Sequence, residues 1–588
     1  MSLWLAAAAL APQNPPPTAP PRMTTDVVVT ATLAPTPESG VARTVTVMTR
    51  ADLDLFGVSA AIDALRLVAG LDVRARGPRE VQADLSVRGA TFGQQLVLVD
   101  GVRLNDAQSG HHNGELPIPM VALDRIEVVG GAASAVYGAD ALGGVVNLIT
   151  RRDQHAALSA SAGQHGLAGM SASMAGYGLP ASWTASGWTE RSSGFTFDRD
   201  FALGGALLRG ELRPGLTFDA RHQRRSFGAN GFYGASPSKE WTDLTLTSLS
   251  WDTTRGGWSS SVRGTWKNHG DHFRWDINRP GFAENRHRTN AGEIVASASH
   301  RDAGGRTITF GASGGADMVR SNNLGNHDFS RTSAFTEIQA PLTPRVLVQA
   351  GARVDHYSTF GSQLSPSLSG VFAASGGWRL RAAASRAFRV PTFTELYYVD
   401  PNNMGNAALT AERGWSLDGG VEYAHQGWSF VATPFARWDK NVIDYVRPTA
   451  TVRWQAENIR DVTTRGLELS ASRRWNAAIV RVAYTALDVN APSLTLLSKY
   501  VLEYARQSFV ASAAAPLGGS GLSFSATADY RNRLDGQRYT LVDARLSRAW
   551  TRRATAYVDA SNLLGVDYHE IAGVTMPGRW VAVGIAVR

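Results

Sequence analysis

Four segments in the long C-terminal part of the chain place apolar residues at every second position. Val346, Val348, Ala350, Ala352 and Val354 share one parity, as do Trp428, Phe430, Ala432, Ala436 and Trp438. The same holds for Leu522, Phe524, Ala526, Ala528 and Tyr530, and for Val581, Val583, Ile585 and Val587. A period of two marks β-strands, because successive side chains leave opposite faces of the backbone. The other parity is mixed polar, for example Ser523, Ser525, Thr527, Asp529 and Arg531, and Gly, Asn, Asp and Pro divide the segments. In a soluble sandwich the apolar parity would face a second sheet and would seldom need tryptophan at both ends. In a barrel that crosses a membrane it faces lipid, aromatic residues sit at the interfaces, and the other parity faces a wet lumen. The barrel explains more of the pattern. Shared among 22 antiparallel strands, the chain beyond Arg151 allows about 20 residues per strand and loop, close to the ~10-residue strands plus connections that such barrels use. A cylinder of that size has a lumen wide enough to require a plug.

Ahead of Arg151 the texture is different. From about Val41 to Thr150 the sequence reads as a compact α+β unit. A short helical pattern begins at Ala61–Leu65, and Leu96–Val99 runs into Asp100-Gly101, a two-residue hairpin signal. A second apolar strand, Ile126–Val129, stops at Gly130-Gly131; Ser134–Ala141 suits a short helix, and Gly143-Gly144 opens a strand over Val145–Ile149. Residues 1–11, MSLWLAAAALA, have the short apolar core and small-x-small end of an export signal, although no basic residue precedes the core and Pro12 would follow the cut. A disordered apolar terminus is the alternative. Residues 12–25 are too proline-rich to fold and form a spacer.

Composition narrows the function classes. Without cysteine among its 588 residues, the chain has no disulfide framework, thiolate zinc site or cysteine nucleophile. No apolar run approaches the ~18 residues of a membrane-spanning helix, and the mean hydropathy is −0.15. That value suits strands of which one face is polar. A pI near 9.7 raises nucleic acid as a partner. Yet the arginines are scattered and interleaved with acids, and lysine occurs solely at Lys239, Lys267, Lys440 and Lys499, so there is no basic stripe to follow a phosphate backbone. Arginine-rich codon bias explains the excess, with contacts to a phosphate-rich membrane surface as a second source.

Motifs then carry a resemblance. Leu85-Ser86-Val87-Arg88-Gly89-Ala90, Leu96 to Asp106, Asp124 to Gly131 and Ala135 to Thr150 resemble, in order and spacing, the plug of TonB-dependent outer-membrane receptors. In the barrel half, Phe388 to Tyr397, Thr464 to Leu469, and Asn562-Leu563-Leu564 through Tyr568 to Pro577-Gly578-Arg579 are similar to that family too. Asp26, Val27, Val28, Val29 and Thr30, within residues 26–31, resemble its TonB box. A free β-branched segment behind a flexible spacer can be captured as an added strand by a periplasmic partner that then pulls; the alternative is the plug's first strand. The resemblance implies a plug over residues 32–152 and a 22-stranded barrel over 153–588, in the outer membrane of a Gram-negative bacterium among lipid and lipopolysaccharide. It also implies that Arg88 and Arg125 of the plug face acids of the wall, with Glu395 and Glu468 in the matching motifs; unrelated surface salt bridges are the alternative. The chain departs from the family at its end, Ile585-Ala586-Val587-Arg588, where an aromatic residue is usual.

Ligand chemistry is thinner. His111, His112 and Asn113 lie between plug strands, in a region that such receptors turn toward the ligand. Phe232, Tyr233 and Trp241 belong to a loop-like stretch, Phe227 to Trp241, and the segment Asn268 to Trp275 adds His269, His272 and Trp275. Histidines beside Asp271 suit a transition metal, but His269 and His272 differ in parity on a strand. Contacts to a bulky metal chelate are therefore favoured over a metal held by the protein. No catalytic residue, cofactor or resident metal is assigned, and no G-x-S-x-G nucleophile motif occurs. The expectation is a monomeric importer, driven through TonB, of a ferric siderophore or cobalamin-like chelate. A non-transporting adhesin or structural barrel and an outer-membrane hydrolase are the rivals.

Overall fold

The computed structural model describes residues 28–152, 156–178, 182–234, 236–491, 495–518 and 521–587. The export signal, the spacer, Asp26, Val27 and Arg588 lie outside the described residues. Beyond Thr150, 22 strands close into an antiparallel barrel around the N-terminal unit, as the alternation predicts. The first strand, Ala157–Gly163, pairs with the last, Trp580–Val587, from Leu158↔Val587 to Gly163↔Ala582. Connections at one end are tight, such as Gly256-Gly257 and Gln426-Gly427, whereas those at the other run to 390–411 and 562–579. Such asymmetry belongs to barrels whose short turns face the periplasm.

Burial is inverted relative to a soluble protein. On the strand Val346–Tyr357, Val354 is 46% exposed while its neighbours Arg353 and Asp355 are 8% and 3% exposed. Trp428, Phe430, Trp438, Phe524, Val583 and Ile585 likewise lie outside, where hydrocarbon rather than water satisfies them. Trp251, Trp258, Trp378, Trp428, Trp475 and Trp550 are exposed near the short-turn end, and Trp266, Trp415 and Trp438 farther up. These are the two aromatic borders of a lipid band.

The plug is built on a five-stranded mixed sheet in the order Val45–Met48, Leu123–Gly130, Gly144–Thr150, Gln95–Val99, Val102–Arg103. Asp100 and Gly101 both have positive φ, 50° and 76°, the geometry of the hairpin that their identity predicts. The helix expected over Ser134–Ala141 is shorter, Ser134–Tyr137, because Gly138 turns the chain out at φ 78°. A helix not anticipated, Arg50–Phe56, starts on a capping box between Thr49 and Asp52 and stops at left-handed Gly57.

Candidate functional site

Plug and wall meet through buried charges. Arg88, held at φ 54° after the strand Ala83–Val87, donates from Nε and Nη2 to the two carboxylate oxygens of Glu468 at 2.9 and 2.8 Å. Its guanidinium also lies 4.6 Å from the Phe435 ring centroid. Nearby, Thr44 donates to Asp418 at 2.9 Å, and Gln94 to Glu412 at 2.6 Å. Arg66 pairs with Glu570 at 2.6 Å and Asp72 with Arg533 at 3.1 Å. Buried ion pairs of this kind contribute little net stability against apolar packing, but their partners can be exchanged for water when the surfaces part. The described partners of Arg125 are plug residues, Asp124 at 3.0 Å and Glu127 at 2.9 Å. Glu395 differs from the expectation. It caps the helix Phe393–Tyr397 through Thr392 and takes Arg389 of the wall at 2.8 Å, so its carboxylate serves its own loop. That loop folds inward and clamps the plug, with Phe393 N and Thr394 N donating to the carbonyls of Ala107 and Gln108 at 2.8 and 2.9 Å.

At the long-loop end, the turn Gly110–His112 lifts His111 to the top of the plug. Its ring stacks on Phe92 at 4.2 Å, with the Tyr500 and Tyr233 centroids at 5.8 and 6.3 Å. Nδ1 faces Asp84 at 2.9 Å, which assigns the hydrogen to Nδ1 and leaves Nε2 as an acceptor, 3.5 Å from the Tyr500 hydroxyl. Burial, aided by Arg76, brings the His111 ring down to about 4 against the pull of Asp84, so it is neutral at physiological pH. Arg76 in turn lies 5.5 Å from the Tyr233 ring centroid, and Lys499 5.2 Å from that of Tyr500. The result is an aromatic apex with two cations beside it, suited to flat, conjugated or anionic groups.

The other expected ligand residues divide. His112 and Asn113 point inward: Asn113 accepts from Asp106 N at 3.0 Å, and His112 Nδ1 meets Glu115 at 3.0 Å. Burial disfavours a charged His112, but Asp271 and Glu115 outweigh it and hold the ring protonated well above the ordinary imidazole range. His269 is buried against the same group, 3.7 Å from Glu115. Phe232 is packed with Phe227, Val574 and Trp580 under the loops, a core position rather than a contact surface. Trp241 and His272 correct the expectation. Both lie on the outward parity of paired strands, stacked at 4.9 Å on the outside of the wall. Trp275 follows the second of these strands and packs edge-on to Phe273 at 6.1 Å. Phe92, Tyr500, Lys499, Arg76 and Asp84 were missed; the adjacent Lys499-Tyr500 pair inside a connection was the legible signal.

Of the expected TonB box, the described part is anchored. Val28–Val29 pairs with Thr36–Pro37, and Thr30 donates from N and Oγ1 to Glu127 at 2.9 and 2.7 Å. Asn147 Nδ2 donates to Thr30 Oγ1 at 2.7 Å, and the Tyr137 hydroxyl donates to its carbonyl.

Two family models match the chain: the TonB-dependent receptor plug domain over residues 37–145 and the TonB-dependent receptor-like β-barrel over residues 145–563. The vitamin B12 transporter BtuB of Vibrio vulnificus is 25% identical over 572 residues, covering 92% of this chain and 91% of that protein. A point mutant of the ferric enterobactin receptor PfeA of Pseudomonas aeruginosa superposes with a TM-score of 0.75 at 17% identity, covering 94% of this chain and 99% of that one. The siderophore receptor PirA of Acinetobacter baumannii gives 0.75 at 16% identity, with 92% and 98% covered.

Proposed function

We propose a transport cycle from one premise: this chain belongs to the TonB-dependent receptor family. Members of that family are transporters and receptors of the Gram-negative outer membrane, and the chain is a TonB-dependent importer. The cargo is a bulky metal chelate of the ferric-siderophore or corrinoid kind. The observation that carries this reading is the apex itself, where His111, Phe92, Tyr500 and Tyr233 present π faces and a neutral acceptor beside Arg76 and Lys499. Chelate rings and conjugated macrocycles are flat and often anionic, and such a surface holds them without a metal–protein bond. Cargo at the apex biases the plug toward release of its N-terminal segment, whose residues 26–30 the TonB partner captures by β-addition and pulls. The receptor acts as a monomer, its apolar band in lipid and its upper arginines, Arg286 and Arg288 among them, against lipopolysaccharide phosphate.

The test is uptake of a labelled chelate panel, a ferric catecholate and cyanocobalamin with an oligosaccharide as control. Tyr500→Ala is expected to weaken binding of the accepted chelate by about tenfold, as loss of a stacked aromatic predicts. Val28→Pro, which deletes a ladder donor, is expected to leave binding intact and stop uptake. Unchanged uptake with Val28→Pro removes the box assignment, and absence of any chelate binding removes the substrate class.

A further inference from the structure

Beneath His111 the plug and the wall bring together a set of groups that the aromatic apex does not use. Asp106, His112 and Glu115 come from the plug, and Glu240, His269 and Asp271 from the wall strands Lys239–Arg255 and Trp258–Arg274. All six are buried, His269 to 2% exposure. The ligand atoms of His112, Glu115 and His269 lie within 4.8 Å of one another. Glu115 is central to them, with one carboxylate oxygen 3.0 Å from His112 Nδ1 and 3.7 Å from His269 Nε2.

Two independent features say that this cluster is incomplete as protein alone. The first is charge. Asp106, Glu115, Glu240 and Asp271 bury four carboxyl groups, and among the described residues the permanent cation within ion-pair distance is Lys267, 3.3 Å from Asp106; the His112 imidazolium, between Glu115 and Asp271, holds the place that a metal ion would take by displacing its proton. Buried anions need a matching cation, or their desolvation goes uncompensated. The second is hydrogen bonding. His269 Nε2 is without a hydrogen-bond partner, its nearest carboxylate oxygen being that of Glu115 at 3.7 Å, and Asp271 Oδ1 and Gln108 Oε1 are without one too. Buried polar atoms left in that condition mark a missing partner.

The geometry points to a divalent transition-metal site formed by His112 Nδ1, Glu115 and His269 Nε2. Two imidazoles and a carboxylate are ligands for zinc and its neighbours, whereas calcium and magnesium require oxygen alone. The far side of each ring supports this assignment. His269 Nδ1 is directed at Asp106, 3.3 Å away, and His112 Nε2 at Asp271, 3.5 Å away. Metal-bound histidines use their second nitrogen in this way, and the carboxylate behind it fixes tautomer and ring orientation. Asp106 and Asp271 are thus positioning residues. With two donors on the plug and one on the wall, the ion is a clip between them, and its release frees the apex. A single wall histidine contributes the whole of the wall's bond to the metal.

The test uses the full-length receptor, purified without a histidine tag, stripped with a chelator and titrated with Zn²⁺ against a chromophoric competitor. One equivalent of Zn²⁺ is expected to bind, Ca²⁺ is expected not to displace it, and Co²⁺ in its place is expected to give the strong visible absorption of a four-coordinate site. His269→Ala and Glu115→Gln should each lower the affinity by at least about tenfold, since even residues behind a ligand cost that much. His300→Ala, on the barrel far from the cluster, serves as the control. Heat-dependent gel mobility of the barrel reports folding, and the near-isosteric Glu115→Gln decides the matter should His269→Ala fail to fold. Zinc binding that is substoichiometric, or equal in the variants and the control, overturns the site. In that case imidazolium protons balance the carboxylates instead.

Discussion

The two flanks of the plug are held to the wall differently. Toward the strands between Trp378 and Trp475, contact is close and charged: Arg88 on Glu468, Thr44 on Asp418, Gln94 on Glu412, and the inward loop after Arg389. Toward the strands that begin at Leu522 and run to the end of the barrel, two cavities of about 180 and 390 Å³ separate the surfaces, and the ion pairs Arg66–Glu570 and Asp72–Arg533 bridge them at the upper edge. Both cavities are lined by Val58, Ser59 and Arg79 of the plug and by Arg545 of the wall. The larger reaches the periplasmic rim at Val587 and Arg552, and the smaller extends up to Asn562 and Met576. The difference teaches where a moving plug has room. The second flank, a seam with open space along much of the barrel's height, would give way before the first, which is the hinge side in that motion.

The largest effect expected comes from fixing each flank in turn. Because the native chain has no cysteine, a pair of introduced thiols can be bridged cleanly with a short cleavable cross-linker. Ser59→Cys with Asp559→Cys spans the seam, where the native oxygens are 2.9 Å apart; Thr44→Cys with Asp418→Cys spans the hinge side at the same distance. Bridging the seam is expected to drop uptake to background until the linker is cleaved, and bridging the hinge to leave most of it. Equal loss from both bridges would erase the distinction.

A smaller effect tests the hinge side chemically. Glu468→Gln leaves the Arg88 guanidinium buried without its counter-ion and is expected to cost about 3 kcal/mol of plug docking, read as faster hydrogen exchange over residues 83–90. Replacing both partners with apolar residues of similar volume, Arg88→Met with Glu468→Leu, should recover most of it.

The smallest effect concerns Asp72, at the upper edge of the seam. Burial raises its carboxyl, but Arg533 and Arg531 outweigh burial and hold it at about 2. That is below the ordinary value of 3.8. The stabilisation is therefore complete above about pH 4 and is lost as the pH falls through 2. Asp72→Asn should remove roughly 2 kcal/mol at neutral pH and flatten that acid limb in denaturation followed at acid pH.

What the sequence made legible followed from contrast. Along Val346–Tyr357 or Leu522–Arg533, lipid on one side and charge on the other impose opposite residue types, and period two declares both strand and facing. Near the top of the wall that contrast fades, since water bathes the outer face as well. Trp241, read as part of a loop, and His272 therefore gave no sign that they stand on strands and point away from the lumen. Arg88 and Glu468 came together as the motif resemblance implies, whereas Glu395 pairs with Arg389 of its own motif. The grouping of His112 with His269 depends on how the plug is rotated inside the ring, which no local pattern encodes.

One feature of the ring constrains how the molecule is made. The hydrogen bonds between Ala157–Gly163 and Trp580–Val587 join the earliest and latest strands of the wall, so the cylinder stays an open, curling sheet until its last residues are in hand. The plug is synthesised before any of that sheet and contacts strands all around it. The order of synthesis therefore puts the plug in hand before the pairing that closes the ring around it.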